Sequence, residues 1–143
     1  MGSLLRAWST LGLFAWPVRS DWQSVVLWWE LRRIPYNIVV GLAGAISLVS
    51  TFFLIVASGV LESGEDAIEP VGLFGLPLLG GIFFNLCYTA GWVLELLVRS
   101  ASRADNRFLG PILLTGGLLL SLGIVSLPAV FWATYDVVKW LTA

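Results

Sequence analysis

Apolar residues run almost unbroken over three stretches of the chain, Asn37 to Leu61, Val71 to Val98 and Phe108 to Tyr135, while charged residues collect before and between them. The first and third stretches carry no charge, and the second carries only Glu95. A membrane-crossing helix needs about 20 consecutive, mainly apolar residues. The pattern therefore predicts an all-α integral membrane protein with three transmembrane helices at about 37–61, 71–98 and 108–135. One or two amphipathic interfacial helices are expected ahead of them, in a segment covering 1–36.

That N-terminal segment has two parts. Residues 1 to 19 place Leu4, Leu5, Trp8, Leu11 and Phe14 at helical spacing before Pro17, which reads as a short helix lying at the membrane interface. A secretory signal is the weaker reading, because the apolar stretch is short and no small-residue cleavage site follows it. In SDWQSVVLWWELRRIPY, Ser20 and Gln23 form a capping box, Asp21 suits the first turn and Arg32 and Arg33 suit the last. A helix from about Asp21 to Ile34 is expected, with Pro35 stopping it. Trp22, Val25, Val26 and Trp29 form one apolar stripe suited to the headgroup boundary. Leu27, Trp28 and Leu31 lie roughly opposite, so a second surface is needed, either from this chain's own spans or from another subunit.

Within the first span, Gly41 and Ala45, Ala43 and Ser47, and Ser47 and Thr51 are small pairs four apart, which permit close approach of another helix. Gly59 reads as an ordinary glycine of a lipid-embedded helix. The acidic connection Glu62, Glu65, Asp66 and Glu69 lacks the spacing of a calcium loop and reads as solvated. The second span begins with a run of Gly and Pro, and regular helix is expected from about Leu76. At about 42 Å it exceeds a bilayer core of about 30 Å, so it tilts or extends beyond the core.

Asn85, Tyr88, Trp92 and Glu95 follow one another at three, four and three residues and share one face of that helix. An intramembrane carboxylate is a candidate proton relay or ion ligand. Glu95, however, lies near the end of its span with Arg99 one turn on, in the favourable order for a helical ion pair, so a paired structural carboxylate is the preferred reading. Asn85 is expected to bond between helices. In the third span Pro128 predicts a kink, with Ser121 and Ser126 placed to help satisfy the freed carbonyl, and Gly116, Gly117 and Gly123 offer further close packing. The tail from Tyr135, with Trp132 and Trp140, is expected to lie along the membrane.

Charge sets orientation. Every arginine falls in the N-terminal segment or in Arg99, Arg103 and Arg107 around the second connection, and Lys139 stands alone at the opposite side. The positive-inside rule then gives a cytoplasmic N-terminus and a periplasmic C-terminus. Arg32, Arg33, Arg103 and Arg107 are the expected contacts to lipid headgroups. The segments WWELRRIPYN and NLCYTAGW have the look of small bacterial membrane proteins, the ground for expecting a bacterial inner membrane.

Composition narrows the chemistry. The chain has 143 residues, 58% of them apolar and 12% charged, with a mean hydropathy of +0.90. There is no room for a separate soluble catalytic domain. With no histidine and one cysteine, Cys87, the usual ligands of zinc, haem, copper and iron–sulfur clusters are missing, and no cofactor is expected. No nucleophile triad, P-loop or dinucleotide fingerprint is present. The net charge of −1 gives no reason to expect nucleic acid, and no small-molecule substrate is expected. The partners expected are membrane lipids and other integral membrane subunits, with Trp22, Trp28, Trp29, Asn85, Tyr88, Trp92, Glu95 and Arg99 as contact residues. Two functional expectations follow. The first is a non-catalytic accessory subunit of a respiratory or photosynthetic type of membrane complex. The alternative is a small oligomeric channel or transporter with a polar path along Asn85 and Glu95.

Overall fold

The computed structural model describes residues 21–61, 70–101 and 109–142. The described residues form three helices and no strands: α1 (Trp22–Ser58), α2 (Pro70–Ala101) and α3 (Leu109–Thr142). All three are long and apolar enough to cross a membrane. The expected interfacial helix of residues 1–19, the acidic connection 62–69, and Arg103 and Arg107 lie outside the described residues.

Helix α1 starts one residue later than expected, with the Asp21 carbonyl accepting from the backbone N–H of Ser24 at 3.1 Å and of Val25 at 3.3 Å. It does not stop at Pro35, which lies inside a 37-residue helix. That corrects the predicted stop. Proline removes one helical hydrogen bond, but neighbouring helices can re-satisfy the backbone in membrane proteins. The carbonyl that Pro35 frees is that of Leu31; in the turn before it the Trp28 carbonyl accepts from Arg32 Nη1 at 2.9 Å and the Trp29 carbonyl from the Tyr88 hydroxyl. Contacts to α2 flank the proline on both sides, at Arg33 and Asn37.

The end of α1 is chemically sharp. Gly59 takes a φ of 64°, the left-handed conformation that closes a helix and that side chains disfavour. It is a terminator, not the lipid-embedded helical glycine expected. The Ser58 carbonyl just before it accepts from Lys139 Nζ at 2.5 Å, which sets a cation at the negative end of the helix.

Helix α2 is regular from Pro70, not from Leu76, and includes Pro77. Proline at a first helical position loses no bond that the helix would otherwise make. Helix α3 continues through the predicted surface tail to Thr142, so that tail is helical. Near Pro128, Ser126 Oγ donates to the Leu122 carbonyl at 2.7 Å, and not to that of Ile124, which the proline frees.

The chain divides into two compact units. One takes in the chain up to Asn37 with Asn85–Leu118, and the other takes in Ile38–Phe84 with the chain from Leu119 onward. In the first, Val25, Trp28, Trp29, Arg32 and Tyr36 of α1 are buried with Tyr88 and Glu95 of α2 and Leu114 of α3, and α1 and α2 run antiparallel. In the second, Val40, Ser47, Thr51, Ile55 and Ser58 of α1 are buried with Phe84 and Ser121. The stripe expected to face headgroups is thus split. Val25 and Trp29 turn inward, while Trp22 stays 64% exposed.

Candidate functional site

The site is the seam of the first unit, built around Glu95. Asn85, Tyr88 and Glu95 line one face of α2 because three- and four-residue steps nearly complete whole turns. Facing them, Trp29, Arg33 and Asn37 repeat every four residues on α1. The two ladders meet rung by rung.

At one end Glu95 is only 2% exposed, and each of its oxygens is taken. Oε2 accepts from the Trp29 indole at 2.6 Å, and Oε1 accepts from Arg99 Nε at 2.9 Å and forms an ion pair with Nη2 at 2.6 Å. Burying an unpaired carboxylate is very costly, so the guanidinium four residues along the same helix is what makes this burial tolerable. The third helix closes the site. A Cβ added to Gly110 in the first turn of α3 would stand 2.7 Å from Oε2, so only glycine lets α3 come this near. The carboxylate consequently lies against the positive end of the α3 dipole, a second favourable interaction.

Along the seam, Trp29 packs edge-on to Tyr88 at 5.1 Å between ring centroids and to Trp28 at 5.5 Å, and Tyr36 lies 4.8 Å from Tyr88. Trp29 also fills the space left by Gly91, where a Cβ would stand 3.0 Å from the indole. Arg33 donates to Thr89 Oγ1 at 2.9 Å and pairs with Glu30 at 3.0 Å, and Thr89 donates in turn to the Asn85 carbonyl. At the far end, Asn37 and Asn85 exchange amide hydrogen bonds of 3.2 and 3.0 Å.

Of the residues singled out from sequence, Trp28, Trp29, Asn85, Tyr88, Glu95 and Arg99 therefore converge. Trp22 is not among them. Trp92 lies on the same face of α2, but its buried Nε1 finds no acceptor among the described residues, and the same holds for Arg33 Nε. Arg32, expected at the headgroups, is buried with its guanidinium 4.1 Å above the Trp28 ring. Arg33 reaches across to α2 instead of standing free.

Sequence reasoning missed Asn37, Thr89, Gly91 and Gly110. Asn37 carried a usable signal, since it is the one strongly polar side chain at the edge of an otherwise uncharged span. Gly91 and Gly110 carried none that separates them from the other glycines of the spans.

Chemically the arrangement is closed. All three donors on the Glu95 carboxylate, the Trp29 indole and two nitrogens of the Arg99 guanidinium, come from within the chain. Among the described residues, no group of three or more His, Cys, Asp or Glu comes together to hold a metal. No family model, characterised protein or solved structure matches the chain.

Proposed function

We propose that the protein is a non-catalytic structural subunit of a larger membrane assembly, of the respiratory or photosynthetic type, that acts by helix packing. The observation that carries this reading is the sealing of Glu95. The one carboxylate buried in the seam is spent on Trp29 and Arg99 inside the chain, and Asn85 is spent on Asn37. A polar path along Asn85 and Glu95 would need those groups free. The exposed surface, in contrast, is rich in large apolar side chains on all three helices, the surface available to lipid and to other integral membrane subunits.

The distribution of arginine supports a cytoplasmic N-terminus and a periplasmic C-terminus in a bacterial inner membrane. Two experiments test the reading. Purification in gentle detergent followed by mass spectrometry is expected to recover other integral membrane proteins in fixed proportion, and a lone homogeneous species would count against it. Glu95→Gln in reconstituted vesicles is expected to leave ion and solute flux at the level of protein-free vesicles, as for the unaltered chain. A flux that the substitution abolishes while assembly survives would establish the channel in its place.

A further inference from the structure

Charged residues at the edge of the spans are joined across the seam, and those joints fix their depth in a membrane. Ile34 to Ser58 on α1 and Pro70 to Leu94 on α2 are uncharged. Each run is about 37 Å long and exceeds a hydrocarbon core of about 30 Å, so length alone would let Glu95 stand inside the hydrocarbon or beyond it. The rungs between the helices remove that freedom.

Moving outward from the uncharged runs, the rungs come in the order Asn37–Asn85, Arg33–Thr89 and Trp29–Glu95. An arginine with a free side chain can keep its charged head in water while its stem lies along apolar surface. The Arg33 guanidinium is held instead at the level of Thr89 on α2, to which it donates. Its ion-pair partner Glu30 stands nearly one turn farther out, and the Arg33 and Glu30 side chains are 31 and 40% exposed. Charged side chains exposed to hydrocarbon are costly, so the Arg33–Thr89 rung lies no deeper than the hydrocarbon edge. Glu95 is six residues beyond Thr89 on α2. That is about 9 Å farther out on an upright helix and about 7 Å at a 40° tilt. The headgroup region of one leaflet is only about 5–7 Å deep. Trp28, Trp29, Tyr36 and Tyr88 gather over the same interval, the depth at which Trp and Tyr collect in membrane proteins.

We infer that the lipid headgroup layer surrounds the seam at the Glu30–Arg33 pair, with Glu95 and Arg99 at its outer edge. The seam is thus a clamp on the helices at the membrane surface, and its carboxylate belongs to the boundary with water. Lipid phosphate and glycerol oxygens are the groups that meet the exposed part of Arg33. This placement does not depend on whether other subunits bind the chain.

The test is the depth of a nitroxide attached to single cysteines of the full chain, with Cys87→Ser as the background, in vesicles of phosphatidylcholine and phosphatidylglycerol. Leu86, Leu94 and Leu97 offer exposed positions on α2. Depth is read from relaxation of the label by oxygen and by a water-soluble nickel complex. With the hydrocarbon edge about 15 Å from the midplane, the label should lie at least about 21 Å out for Leu94→Cys and at least about 24 Å out for Leu97→Cys. For Leu86→Cys, eight residues inward of Leu94, it should lie about 9–12 Å deeper than for Leu94→Cys. Three results would overturn the inference. One is a label at Leu94 or Leu97 within about 15 Å of the midplane, which puts Glu95 in the hydrocarbon. Another is equal depth at Leu86 and Leu94. The third is labels at Leu94 and Leu97 reached by neither oxygen nor nickel, the mark of a protein surface in place of lipid.

Discussion

The two compact units bury similar helices by different means. In the first, the helices are joined by directional bonds between unlike groups: indole to carboxylate, guanidinium to carboxylate, guanidinium to hydroxyl and amide to amide. In the second, the buried polar residues are the small hydroxyls Ser47, Thr51, Ser58 and Ser121 among apolar neighbours, and Lys139 ties the end of α1 to α3. A bonded seam specifies register, because sliding α1 by one turn against α2 would break several bonds together. A seam of small and apolar side chains specifies closeness and tolerates local change. Sensitivity to substitution should therefore be concentrated in the first unit.

Four sets of substitutions probe that contrast, in falling order of effect. Glu95→Leu strands the Trp29 indole and the Arg99 guanidinium, and should cost about 3–5 kcal/mol of unfolding free energy, the range for breaking one side of a buried pair. Denaturant titration in mild detergent measures it, and adding Arg99→Leu should recover part of the loss. Gly110→Ala forces a methyl to within 2.7 Å of the carboxylate and should cost about 1–3 kcal/mol by the same titration. A cost as small as that of an exposed glycine would mean that α3 does not bear on Glu95. Next, replacing Asn37 and Asn85 by Leu singly and together should reveal a coupling near 0.6 kcal/mol, the average for hydrogen bonds between helices in membranes. Least of all, Gly123→Ala in the second unit's part of α3, where the added methyl meets nothing within 4 Å, should change stability by no more than about 0.5 kcal/mol. If Gly123→Ala proves as harmful as Gly110→Ala, the contrast between bonded and tolerant regions fails.

Much of this arrangement is legible in the sequence alone. The three spans, the polar face from Asn85 to Glu95 and the Glu95–Arg99 pair all follow from local spacing, which sequence carries directly. What was not legible depends on a second helix. Pro35 looked like a stop because its missing N–H is a local fact, while the contacts from α2 that flank it are not. Trp29 looked like an interfacial residue because its stripe is apolar. Its indole N–H, bonded to Glu95, and its ring, seated over Gly91, show what the apolar count conceals. Gly59 and Gly110 each have a definite conformational or steric duty, yet among 15 glycines the sequence offers no mark that singles them out. In the sequence Lys139 is the lone base on the far side, and its bond to the end of α1 joins residues far apart in the chain.

The claim that Glu95 serves as an anchor between helices is tested most directly by its bond to Trp29. Trp29→Phe removes the indole N–H and keeps an aromatic ring, and its cost can be measured by unfolding in mild detergent, first in the unaltered chain and then with Glu95→Leu present. The expected result is a cost about 1–2 kcal/mol larger in the unaltered chain, the worth of a strong bond between helices in a membrane. An equal cost in both backgrounds would contradict it, and would return Glu95 to the groups free to do other work.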